Sequence, residues 1–272
     1  MDVAFGLLAG GWTVYVLWIT REFSYWSDDL FLLEQSGSWG GLFESYNDHL
    51  SVVILSIYRG AAELAGLSYT PIMVVGVLSL VAVPACYYVT TRCRLGAPLA
   101  AVLATPLIWY QGTNLRPSSL NHYLALLGGV VCAAALNRGR RADGVLAGAL
   151  LFSLCSAGGG VVVAIACVVH NVLVRPPWRR WLAVLGPTAS WAVWWFSVAD
   201  VVPLDPALQL TAGEAARVVR DLCLEPFYAA GFGIPGLAYL LMVAFVAHAA
   251  VQLRRGLTAG ANVLAWTAAM VL

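Results

Sequence analysis

A succession of long apolar runs, punctuated by loops that carry clustered arginine only at every second connection, leaves this chain few ways to fold. The runs cover about 3–20, 71–91, 98–110, 120–136, 144–155, 160–174, 181–199, 229–251 and 257–272. Several approach the ~20 residues that a helix needs to cross hydrocarbon. Composition agrees, since 61% of the 272 residues are apolar, 11% are charged and mean hydropathy is +0.80, far from the balance of a water-soluble domain. The expected fold is all-α, a polytopic transmembrane helical bundle of about nine spans forming a single domain over 1–272. The runs 144–155 and 160–174 meet at Ser156-Ala157-Gly158-Gly159-Gly160, which reads as a tight turn between two short or tilted helices.

All 15 basic residues are Arg. Arg92 and Arg94, then Arg138, Arg140 and Arg141, then Arg175, Arg179 and Arg180, then Arg254 and Arg255 occupy alternate loops. The positive-inside rule makes those loops cytoplasmic and leaves 111–119, 156–159 and 200–228 outside. Only Asp143 among the acids shares the Arg loops. The segment His49 to Leu67 is ambiguous: it is long enough to span, yet His49, Ser56 and Glu63 recur every seven residues with Arg59 between them. One polar face on an apolar helix fits a helix lying in the interface or beside a polar cavity. A flat helix puts ten Arg inside and five outside, a spanning one eleven and four, so charge does not separate them. The flat version gathers residues 21–70, Arg116 and the loop 200–228 on one side.

That first loop holds the chemistry-bearing residues. Ser27 caps a helix whose first turn carries Asp28 and Asp29, followed by the apolar Leu30, Phe31, Leu32 and Leu33. Acids there also suit the helix dipole with no further role. Carboxylates pressed against a membrane lose solvation, however, and so become stronger bases. Trp26 and Trp39 bracket the helix as interface anchors, and Tyr46-Asn47-Asp48-His49 opens the next.

A first span, an outward loop with Ser27-Asp28-Asp29 near its start, and an interfacial helix opened by Asn47-Asp48-His49 together resemble the membrane glycosyltransferase superfamily called GT-C. The resemblance covers the first 70 residues well and the rest as a many-span layout. It implies a polyprenyl-phosphate-linked sugar donor, with Asp28 or Asp29 as catalytic base toward an acceptor hydroxyl. In members that use a metal, it implies a divalent cation such as Mg or Mn, for which Asp29, Asp48 and His49 are the candidate ligands. Asn47, Asp48 and His49 carry over as donor or metal contacts, and Arg59 joins them as a substrate-binding candidate. Family members usually have more spans and often a soluble C-terminal domain, so a chain ending at Val271-Leu272 within an apolar run reads as the N-terminal part of a longer one or as a reduced relative.

Further candidates lie in the other outward loops. Arg116 suits a lipid phosphate through its paired donors and equally suits a headgroup anchor. His122 sits one turn into a span, where a polar group needs a cavity or a partner. Arg217 and Arg220 belong to TAGEAARVVRDL, a capped surface helix that also offers phosphate ligands. The six cysteines show no CxxC spacing and read as small buried side chains. The start MDVAFGLLAG lacks the positive leading region of a signal peptide. A net charge of +1 without a basic face excludes nucleic acid as a partner, and no Walker loop, GxSxG or HExxH occurs.

The expected function is sugar transfer from a polyprenyl phosphate to a cell-envelope glycan, lipid or protein acceptor, by a multi-pass protein of the cytoplasmic membrane with its site facing outward. The rivals are a transporter or lipid flippase with a polar cavity, and a non-catalytic membrane scaffold.

Overall fold

The computed structural model describes residues 2–22, 24–25, 27–46, 49–66, 68–98, 100–101, 104, 120–138, 140–198, 211, 213–214 and 234–254. Within them the chain is almost wholly helical, as expected: α1 (Asp2–Thr20), α2 (Ser27–Gln35), α3 (Val52–Ala65), α4 (Thr70–Leu95), α5 (Leu120–Leu136), α6 (Asp143–Leu154), α7 (Gly159–Val174), α8 (Trp178–Val198) and α9 (Pro235–Arg254). The extended structure among the described residues is a pair of two-residue strands, β1 (Ser45–Tyr46) and β2 (His49–Leu50), antiparallel with Tyr46 opposite His49. Among the described residues two helices, Asp2–Thr20 and Thr70–Cys93, are long and apolar enough to cross a membrane. The apolar run 257–272 lies outside the described residues, and the run 98–110 and the loop 200–228 lie largely outside them.

Side-chain contacts fix the relative directions of α1, α4, α5, α6 and α8. Asp2 accepts from Arg92 at 2.8 Å and Phe5 stacks on Tyr88 at 4.2 Å, so α1 and α4 are antiparallel and Thr20 lies at the end where α4 begins. Ile72 shares a core cluster with Leu120 and Leu124, which sets the starts of α4 and α5 side by side. The Ser153 hydroxyl donates to the Ala125 carbonyl at 2.8 Å and the Cys132 thiol approaches the Leu146 carbonyl at 3.8 Å, so α6 runs back against α5. Arg180 then binds Asp143 at 2.9 Å, aligning the start of α8 with that of α6. Two ends result. One gathers Arg92, Arg138, Asp143, Arg175 and Arg180; the other gathers the starts of α4, α5 and α7 with the ends of α1, α6 and α8.

α3 does not cross between them. Its first turn is bound where the Val53 N–H donates to the Cys155 carbonyl at 3.1 Å, in the α6–α7 turn. It stops at Gly66, whose φ of +60° suits glycine, and Tyr69 directly before α4 belongs to the same core cluster. Both ends therefore sit at the end opposite the Arg residues, and α3 lies across the bundle. Its inner face is Ile54, Leu55, Tyr58 and Ala61, all buried, while Ser56 and Glu63 face out. That course across the bundle is the one the flat alternative requires.

α6 and α7 have 12 and 16 residues and meet at the turn expected from the glycines. At ~1.5 Å per residue α6 rises only ~17 Å above Asp143, whereas α8 continues ~27 Å above Arg180. The α6–α7 turn is thus recessed below the end of α8. The β1–β2 hairpin and the start of α3 are seated on that step.

Candidate active site at the capped end

α2 forms because Leu32, Leu33 and Ser36 recur on one side, and Leu32 and Ser36 are buried there while Leu30, Phe31 and Glu34 are exposed. Asp29 falls on the buried side and is 1% exposed. Its Oδ1 accepts a short hydrogen bond from the Tyr58 hydroxyl of α3, and its Oδ2 accepts from the Tyr69 hydroxyl at 3.3 Å. Tyr25 stacks edge-on against Tyr69 at 4.9 Å and donates to the Ser68 carbonyl at 3.4 Å. Burial, reinforced by the Asp29 carboxylate, pushes the Tyr58 and Tyr69 phenols well above their ordinary pKa, so both remain donors. Hydrogen bonds to a charged group contribute roughly 1.5–3 kcal/mol each. One carboxylate therefore joins α2, α3 and the start of α4.

The loop after α2 is wound onto the same end. The Gln35 side-chain amide donates to the carbonyls of Gly41 at 3.2 Å and Glu44 at 3.3 Å. Trp194, near the end of α8, donates from Nε1 to the Phe43 carbonyl at 2.7 Å. The chain then enters the hairpin, and the His49 imidazole lies so close over Gly158 that a Cβ there would stand 2.4 Å from its Cε1. Gly158 has ordinary right-handed helical angles, so it is the missing side chain, not backbone freedom, that matters at this position. His122, exposed in the first turn of α5, is within electrostatic range of His49, and its backbone N–H donates to Oδ1 of Asn121 at 2.8 Å.

Of the residues singled out by sequence, Asp29, His49, Arg59 and His122 are therefore all at the capped end. Asp28 lies on α2, with its side chain outside the described residues, as are Asn47, Asp48, Arg116, Arg217 and Arg220. Arg59 is committed to a clamp: Nε donates to Glu63 at 2.9 Å and the guanidinium lies 4.1 Å from the Trp39 ring centre. It borders an open groove of about 330 Å³ between α2 and α3, lined also by Leu33, Ser36, Gly37, Ala62, Glu63 and Gly66. Thr211 and Glu214 cap each other, the Thr211 N–H donating to the Glu214 carboxylate at 2.8 Å, the reciprocal bonding of a helix start, while the helix expected beyond residue 214 lies outside the described residues.

Asp29 meets α3 at Tyr58, ~9 Å along the helix from Val52, whereas His49 precedes that helix. Among the described residues no three His, Cys, Asp or Glu side chains converge to hold a cation. Sequence reasoning missed Tyr58, Tyr69, Gly158 and Trp194. The available signal was a phenol at position 58 on an otherwise apolar helix face, since a buried tyrosine hydroxyl needs a partner. Comparisons with protein families, with curated proteins and with solved structures find no match for this chain.

Proposed function

We propose that the chain is a polytopic membrane glycosyltransferase, of about nine spans, that moves a sugar from a polyprenyl phosphate to an acceptor hydroxyl at the outer face of the cytoplasmic membrane. The observation that carries this reading is the capped end itself. The acidic helix α2, the His49 hairpin and the first turn of α5 are gathered opposite the Arg-bearing loops. Exposed apolar side chains such as Leu7, Val14 and Trp18 on α1 and Leu182, Val193 and Phe196 on α8 suit contact with acyl chains, and a lipid-borne donor would keep its tail among them.

In this mechanism the acceptor O–H gives its proton to a carboxylate of the Asp28-Asp29 pair as the oxygen attacks the anomeric carbon. The bond from that carbon to the phosphate oxygen breaks, and the polyprenyl phosphate leaves with its electron pair, steadied by cationic side chains such as Arg116 or Arg217. Holding both reactants at one interface supplies the proximity part of the rate gain. The recessed α6–α7 turn favours a second reading, a lipid translocator, because interrupted helices in a membrane line polar cavities.

Sidedness and turnover test these together. Ser38→Cys should react with a membrane-impermeant maleimide in intact cells, while the native Cys93, exposed beside Arg92, should react only after lysis. Labelling of Ser38→Cys only after lysis would remove the outward transferase. Polyprenyl phosphate crossing a vesicle without sugar transfer would select the translocator.

A further inference from the structure

We infer that the two adjacent aspartates have different tasks: Asp29 is a positioning residue held by Tyr58 and Tyr69, and the acceptor proton goes to Asp28. This rests on the transferase reading. A general base has to come within ~2.6–3.2 Å of the proton it takes. Asp29 is 1% exposed, and both of its oxygens accept from tyrosine hydroxyls supplied by α3 and by the residue before α4. An acceptor reaches it only if the packing of α2 on α3 opens.

Helix geometry separates the two positions. Neighbouring residues on an α-helix are ~100° apart, and residues three and four apart share a face. Position 29 shares its face with Leu32 and Ser36, both buried, whereas position 28 lies ~100° away, at the edge between the buried Leu32 and Phe31, which is 65% exposed. Fixing Asp29 between two phenols therefore fixes the rotation of α2 about its axis. That rotation sets the direction in which position 28 is presented at the capped end. Tyr58 and Tyr69 act through Asp29 and touch no reactant.

The test uses the full chain in detergent, with sugars linked to farnesyl phosphate as donors, reading kcat, KM and the unfolding midpoint. Asp28→Asn should lower kcat by about 100-fold or more at an unchanged midpoint. Asp29→Asn should stay within about tenfold of the native kcat with the acid limb of its pH profile unmoved, because an amide oxygen still accepts from tyrosine. Tyr58→Phe should lower kcat about tenfold at unchanged KM, since one of two holding bonds is lost. Asp29→Leu should lower the unfolding midpoint and Asp28→Leu should not. If Asp29→Asn abolishes turnover with farnesyl phosphate still bound while Asp28→Asn turns over, the assignment is overturned. If the native chain transfers no sugar from any farnesyl-phosphate donor, the transferase reading and the role of Asp28 both fall. Equal midpoints for Asp28→Leu and Asp29→Leu overturn the tyrosine clamp whatever the activity.

Discussion

Replacing Gly158 by Ala asks whether the first loop is seated on the α6–α7 turn as the geometry requires. The backbone there is right-handed helical, φ −55° and ψ −27°, so alanine meets no torsional objection and only space decides. The added Cβ would lie 2.4, 2.7 and 2.8 Å from Cε1, Nε2 and Nδ1 of His49, against ~3.5–4.0 Å for ordinary carbon contacts. An overlap of about 1 Å over a whole ring costs roughly 1–3 kcal/mol if the ring stays in place. Because the obstructing atoms are the far end of one side chain, the imidazole swings away instead, and most of the damage falls on the site and little on stability. The neighbouring glycines supply the scale. At Gly159 the added atom meets only the Ala125 Cβ at 3.8 Å, so Gly159→Ala should be neutral within about 0.5 kcal/mol. At Gly160 it meets the Ser153 carbonyl at 2.4 Å and the Leu154 nitrogen at 2.5 Å, which are backbone and cannot yield, so Gly160→Ala should fail to fold. Unfolding followed by tryptophan fluorescence in detergent gives the first readout, and carbethoxylation of His49 followed by mass spectrometry gives the second. Expected are a small stability loss and a several-fold faster modification of His49 in Gly158→Ala. Identical modification in the 158 and 159 variants would refute the seating of His49.

Three further outcomes follow from the same contacts. Arg180 is 8% exposed and serves Asp143 at 2.9 Å, the Leu136 carbonyl at 3.2 Å and the Arg138 carbonyl at 2.7 Å. Arg180→Met leaves a largely buried carboxylate uncompensated and should cost about 3–5 kcal/mol in detergent unfolding, with Lys restoring only part because it lacks the planar fork. Trp194→Phe removes the 2.7 Å bond to Phe43; it should cost about 1 kcal/mol and speed proteolysis within residues 36–46. The third concerns alkaline pH, where burial and the Asp29 carboxylate hold the Tyr58 and Tyr69 phenols above the 10.0 of a free tyrosine. Their contribution is fully present below that value and is lost as pH rises above it, because the unfolded phenols ionise first. The unfolding midpoint should fall steeply past pH ~10, and less steeply in Tyr58→Phe.

The helical class, the turn at 155–158 and the polar face of α3 were all legible in the sequence, because apolar runs, glycine clusters and a seven-residue spacing are local signals. What the sequence left undecided was decided by contacts across long separations. Tyr58 and Asp29 are 29 positions apart, Tyr69 and Asp29 are 40, and the Trp194 to Phe43 bond joins residues 151 apart. Counting arginines gave ten against five for one course of α3 and eleven against four for the other, a difference of one charge. A buried carboxylate with two phenols outweighs that difference, since detaching it would strand polar groups in an apolar core at roughly 1–3 kcal/mol each.

The same contact explains why the visible polar face of α3 was a poor guide to its orientation. His49, Ser56, Arg59 and Glu63 drew attention as a stripe, yet Ser56 and Glu63 face outward and Arg59 is taken up by Glu63 and Trp39. An amphipathic helix held only by its apolar stripe would be free to roll by tens of degrees, because apolar burial is non-directional. Tyr58, one step from Arg59 and ~100° around the helix, removes that freedom, since its hydroxyl meets the Asp29 carboxylate in one rotation only. Rolling α3 by one residue would break the Tyr58–Asp29 bond and the Arg59–Glu63 pair together. A Tyr58→Arg, Arg59→Tyr exchange should therefore lower the unfolding midpoint, because it removes both of those interactions, although it preserves composition, charge and hydropathy.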